Sequence, residues 1–184
     1  MDAIGLIELP GSTYLYALAF IAIVFVGFSS VAVVIRQTIG VGLTRFQALL
    51  AYVYIELGFL VVGLSLFPVF LSLFALPHSF VLRVSSAAAG LVLVVWLGIF
   101  FRRYRKIRPT SFPASGWVHL AIAVVVLGGL LMNAAGYPRE PHVGLYALAL
   151  CFILVEAIDT FLDSMNIFLR QSKVVSRPNE STKN

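Results

Sequence analysis

Five long apolar runs leave this chain one kind of solvent in which to fold. Residues 14–35, 49–76, 84–101, 117–135 and 143–162 carry almost no charge, and each has about the length a helix needs to cross a bilayer core. Hydrocarbon offers no partner to a backbone N–H or C=O. A spanning segment must bond its own backbone, and a helix does so within one segment. None of the runs alternates with period two, which argues against a β-barrel. Composition agrees: of 184 residues, 60% are hydrophobic and 11% charged, against about 25% charged in soluble domains.

The sequence therefore predicts an all-α fold, a polytopic membrane helix bundle with five transmembrane helices. Residues 1–171 form a single helical domain, the last helix running on to about residue 170, and 172–184 form a polar, disordered tail. Proline and glycine clusters separate the runs and end helices: residues 37–42, 77–79, 108–113 and 136–141. The second run contains Pro68, so residues 67–76 are either a kinked helix end or an interfacial segment. A proline within a span also frees a carbonyl that a neighbouring helix has to satisfy.

The basic residues fix an orientation. With the N-terminus outside, the first loop, the third loop and the tail are cytoplasmic, and they carry two, five and four Lys or Arg; the outer side has only Arg83 and Arg139. Eleven against two is a strong positive-inside bias, and it requires an odd number of spans. The net charge of +5 is therefore a topology signal and not a nucleic-acid footprint. Arg102, Arg103, Arg105, Lys106 and Arg108 would meet anionic lipid headgroups. The expected location is the cell membrane. Met1–Pro10 lacks the basic start of a cleavable signal peptide, so the first run reads as a retained span. The single cysteine, Cys151, implies no disulfide.

Ionisable side chains inside a span are costly, and each is a candidate site. Glu56 lies in the second run, roughly 10 Å from the cytoplasmic boundary at 1.5 Å per residue. Glu156, Asp159 and Asp163 share one face of the last helix at i, i+3, i+7. Leu154, Phe161, Met165 and Phe168 occupy the opposite face. Glu56 and Glu156 sit at comparable depth on antiparallel helices. Two carboxylates brought together in a low dielectric require a proton, a cation or an arginine between them. Arg36 and Arg45 are the charge partners on the same side. The competing reading is a static ion-pair network that fixes helix packing; for Asp163 it is simple emergence into the headgroups.

Other chemistry is absent from the pattern. No lysine lies within a span, which excludes a retinal Schiff base. His78, His119 and His142 all fall near span ends, with no pair placed to clamp a haem. There is no zinc spacing, phosphate loop or nucleophile–base pair. No catalytic residue and no cofactor is predicted, and the identity of any metal is left open. Ser86 and Gly90, like Ser85 and Ala89, are four apart and let helices approach closely.

These features point to a small channel- or transporter-like protein, homo-oligomeric, with an acidic cation or proton site formed by Glu56, Glu156, Asp159 and Asp163. The alternative is a membrane scaffold or sensor subunit whose acids are structural. The orientation is directly testable. In intact cells an impermeant thiol reagent should label Asp2→Cys and spare Ser176→Cys. The reverse pattern would overturn it.

Overall fold

The structure, a computed structural model, describes residues 9–38, 43–107, 114–137 and 141–175, with side chains at 114–115 and from 168 onward outside the description. It contains α1 (Ser12–Thr38), α2 (Arg45–Ser72), α3 (His78–Ile107), α4 (Ala114–Ala135) and α5 (Val143–Val175). Each of the five is long and apolar enough to cross a membrane, as a multi-pass membrane protein requires. Large apolar side chains point outward, with Val125 70% and Phe20 68% exposed, a surface suited to lipid. Pro68 lies inside α2, which ends at Ser72. α5 runs to Val175, so residues 172–175 of the expected tail are helical, and the rest, 176–184, lies outside the described residues, as does Arg108.

Short connections make successive helices antiparallel. The C-terminal ends of α1, α3 and α5 therefore gather with the N-terminal ends of α2 and α4. Arg36, Arg45, Arg102, Arg103, Arg105 and Lys106 all belong to this basic end, and Arg83 to the other. α2 packs against α1, α5 and α3, and α4 bridges α3 and α5; the α2 and α4 backbones do not approach closely. At Gly58 an added Cβ would collide with Val26, so α1 and α2 meet at van der Waals distance there. Ser85, Ser86, Ala89 and Gly90 are all buried, and a Cβ on Gly90 would sit 3.5 Å from Leu127. The small face of α3 is thus spent on packing within the chain. Phe161 of α5 wedges between α1 and α2, edge-on to Tyr54 and Phe25 at centroid distances of 5.3 and 5.8 Å.

Helix ends follow their local chemistry. Before α1, Leu9-Pro10-Gly11-Ser12 forms a tight turn closed by Ser12 N–H to the Leu9 carbonyl at 2.9 Å, with Gly11 at φ +82°. α2 opens on a capping box: Gln47 N–H donates to Thr44 Oγ1 at 3.2 Å, and Thr44 N–H to Gln47 Oε1 at 3.1 Å. α4 ends in a Schellman motif. Gly136, at φ +75°, donates to the Asn133 carbonyl at 3.1 Å and Tyr137 to the Met132 carbonyl at 3.0 Å. The buried Asn133 side chain then donates to Ser86 Oγ at 2.8 Å and accepts from His142 N–H at 2.7 Å, pinning the α4–α5 connection.

Pro68 has no N–H to give the Leu64 carbonyl one turn earlier. The Tyr146 hydroxyl, from α5, donates to that carbonyl at 2.7 Å, and Tyr146 is fully buried. Proline and tyrosine thus form a complementary pair across two helices. Tyr146→Phe should cost about 1 kcal/mol in detergent unfolding, because the freed carbonyl loses its donor. In a Pro68→Ala background, residue 68 supplies its own N–H and the same change should cost clearly less. Equal costs in the two backgrounds would refute the pairing.

Candidate functional site

The acidic face of α5 is set by burial of the rest of that helix. Leu150, Ile153, Leu154, Ala157 and Phe161 are buried in the core. This rotates Glu156, Asp159 and Asp163 toward α4 and the bundle's basic end. There they meet His119, in the second turn of α4. His119 Nδ1 hydrogen-bonds Glu156 Oε2, and His119 Nε2 lies 3.4 Å from Asp159 Oδ2. Ligand atoms of His119, Asp159 and Asp163 all lie within 4.8 Å of one another. The side chains open from inside outward: Glu156 is 18% exposed, His119 29% and Asp159 54%.

This geometry has an electrostatic consequence. A neutral imidazole carries one N–H and one lone pair. With Nδ1–H assigned to the Glu156 carboxylate, the lone pair on Nε2 faces the Asp159 carboxylate. Two electron-rich atoms at that distance repel unless a positive charge joins them, which a proton on Nε2 or a bound cation can supply. Three carboxylates share one imidazole, so the group keeps negative charge in either protonation state of His119 when the acids are ionised.

The same wall borders a cavity. Where the α2 and α4 backbones stand apart, a space of about 300 Å³ opens between α2, α3, α4 and α5. Its polar lining is His119, Glu156, Thr160 and Asp163. The rest is apolar and strongly aromatic, including Phe46, Trp96, Phe100, Tyr104 and Phe152. Trp96 and Phe100 lie stacked, centroids 5.6 Å apart and planes 11° apart. Thr160 turns its hydroxyl onto the Glu156 carbonyl at 2.8 Å.

Glu56 has a different environment. Arg103 Nη1 donates to its Oε1 at 2.5 Å, and Trp96 Nε1–H to its Oε2 at 3.2 Å. This closed pair ties α2 to α3, and no described hydrogen bond or ion pair joins Glu56 to Glu156. Arg36 is buried near the end of α1, in electrostatic reach of Tyr54. Arg45 is the first residue of α2 and makes no ion pair among the described residues. Of the residues singled out by sequence, the structure brings together Glu156, Asp159 and Asp163, and adds His119.

His119 and Arg103 have no role at the site in the sequence reading. His119 lies within two residues of the start of its run, where a histidine passes as an interface residue. The available signal was depth: its height on α4 equals that of Asp159 on the antiparallel α5. Arg103 stands in a basic cluster that topology already explains, but it is seven residues from Trp96 and so shares its helix face.

No protein family matches this chain, and no characterised protein or solved structure resembles it significantly.

The Glu56–Arg103 pair is partly exposed, at 33% and 45%, so its worth is discounted for solvent screening. A double-mutant cycle with Glu56→Gln and Arg103→Gln should give a coupling of about 0.5–1 kcal/mol. Adding Glu156→Gln to the cycle should leave that coupling unchanged. A changed coupling would join Glu56 to the α5 acids after all.

Proposed function

We propose that this protein is a transporter-like membrane protein that takes up a cation at the basic end of its bundle, with His119, Glu156, Asp159 and Asp163 as the binding group. The observation that carries this reading is the opposition of His119 Nε2 and the Asp159 carboxylate at 3.4 Å, an arrangement completed by positive charge. Glu156 acts on the other imidazole nitrogen, fixing the tautomer and the ring plane as carboxylates do for metal-bound histidines. The positive-inside bias supports a cytoplasmic position for this end and a cell-membrane location for the protein.

A static scaffold role fits Glu56, whose charge is matched by Arg103. It fits the α5 acids poorly, because their charges outnumber their partner. An open pore is less well supported than a carrier. Among the described residues the half of the bundle beyond the cavity is packed. Val61, Val81, Leu130 and Leu150 are buried there, and Asn133 is committed to Ser86 and His142. One-sided access to a closed-off site is the geometry of a carrier in one of its states.

Crowded carboxylates at a binding site destabilise the empty protein, whereas structural ion pairs stabilise it. In cation-free buffer, Glu156→Gln/Asp159→Asn should therefore raise the thermal midpoint. The wild type should gain stability from Mn2+ or an organic ammonium, by mass action, and proteoliposomes should take up the same cation. Destabilisation by the double substitution, with no cation-dependent shift in the wild type, would sink the proposal and favour the scaffold.

A further inference from the structure

The cavity beside the acidic group narrows the kind of cation that fits. A space of about 300 Å³ is at the small end of ligand pockets, large enough for one aromatic ring with a short substituent. Hydrated metal ions need oxygen-rich walls, which only one side of this cavity offers. The remaining walls come from Leu, Val, Ile and aromatic side chains. Aromatic faces attract a desolvated cation through their quadrupoles, tryptophan best of all. Trp96 is held in place on two sides, stacked on Phe100 and bonded through Nε1 to Glu56.

Resting on the cation-site reading above, we propose that the cavity binds an amphipathic organic ammonium. The apolar or aryl body lies among Trp96, Phe100 and Phe152, and the ammonium sits at Glu156 and Asp163. The charge and the apolar body are recognised by different walls, so both are required. Body without charge leaves the carboxylates crowded; charge without body leaves the aromatic walls empty. The ammonium belongs either to a free amine or to a lipid headgroup, and the chemistry of recognition is the same.

The test uses the full-length protein in detergent and a matched pair of probes, benzyltrimethylammonium and its neutral isostere neopentylbenzene. Equilibrium binding of both is measured beside binding of Mn2+. The ammonium should bind saturably and at least tenfold more tightly than the neutral isostere. Glu156→Gln should weaken it at least tenfold. Trp96→Leu should weaken it roughly three- to thirtyfold, the range expected for a desolvated cation–π contact, with Trp96→Phe recovering much of the loss. Thermal unfolding of each variant reports whether it is folded, and Glu156→Gln with Trp96→Phe carries the test if Trp96→Leu is not. Competition by phosphatidylethanolamine, but not by phosphatidylglycerol, assigns the ammonium to a lipid; no competition assigns it to a free amine. If Mn2+ binds through His119 and Asp159 while the ammonium does not, the substrate class is wrong and the cation site stands. Equal binding of the two isosteres, indifferent to Glu156→Gln, overturns the inference in favour of a purely apolar pocket. If no cation binds, both readings fall.

Discussion

Hydrocarbon has no hydrogen bonds to lend, and this constraint governs the bundle from its helix lengths to its tightest polar contacts. Every described element is a helix or a short connection, and each helix keeps its backbone bonded within its own segment. Where the sequence breaks the rule, another helix repairs it. Pro68 withholds an N–H from Leu64, and Tyr146 brings a hydroxyl to the same carbonyl at 2.7 Å. Asn133 is buried with both ends of its amide bonded, one to α3 and one to the backbone entering α5. In water such contacts would contribute modestly. In the membrane their importance lies in the cost of the unpaired alternative, although measured net values stay near 1 kcal/mol because the unfolded chain in lipid also finds partners.

The same accounting separates the acids. Glu56 meets a full positive charge and an indole N–H, and its arrangement is complete. The α5 acids meet one imidazole among three, and their arrangement is complete only with something added. Charge matching, more than depth, distinguishes the structural carboxylate from those proposed to bind. Exposure points the same way. Glu156 is mostly covered and orients the ring, whereas Asp159, at 54% exposed, can meet an arriving ligand.

Much of this was legible in the sequence, and the illegible part has a common cause. Apolar runs report helices because each run's length is a local property, and all five runs became helices long enough to span. Proline at 68 announced an orphan carbonyl, though not the tyrosine that would answer it. The i, i+3, i+7 spacing placed three acids on one face of α5 because that face is internal to one helix. Depth along a span can be counted at 1.5 Å per residue, but rotation of one helix against another cannot. Glu56 and Glu156 share a depth, yet Glu56 looks toward α3 and Glu156 toward α4. For the same reason His119 was invisible as a partner: its importance comes from the packing of α4 against α5. The orientation of the small residues on α3 was likewise set by α4, with Leu127 above Gly90 and Asn133 bonded to Ser86.

The packing of the helices gives the site its leverage. α2 sits closely against both α1 and α5, while α3 is most extensively packed on α4; the contacts between these two groups are sparser, and α2 and α4 leave the cavity between them. Both charged contacts at the basic end cross this seam. Glu56 on α2 reaches Arg103 and Trp96 on α3, and the α5 acids reach His119 on α4. The first is a matched pair and holds the seam at a constant strength. The second contains surplus negative charge, so its strength depends on what positive charge is present. A cation between His119 and Asp159 would draw its ligands from both sides and pull α4 onto α5. Its departure would leave the seam held on that side by apolar packing and one hydrogen-bonded imidazole. On the proposed reading, binding and helix association at this end would be one equilibrium, and a ligand that favours the joined arrangement would itself be held more tightly by it.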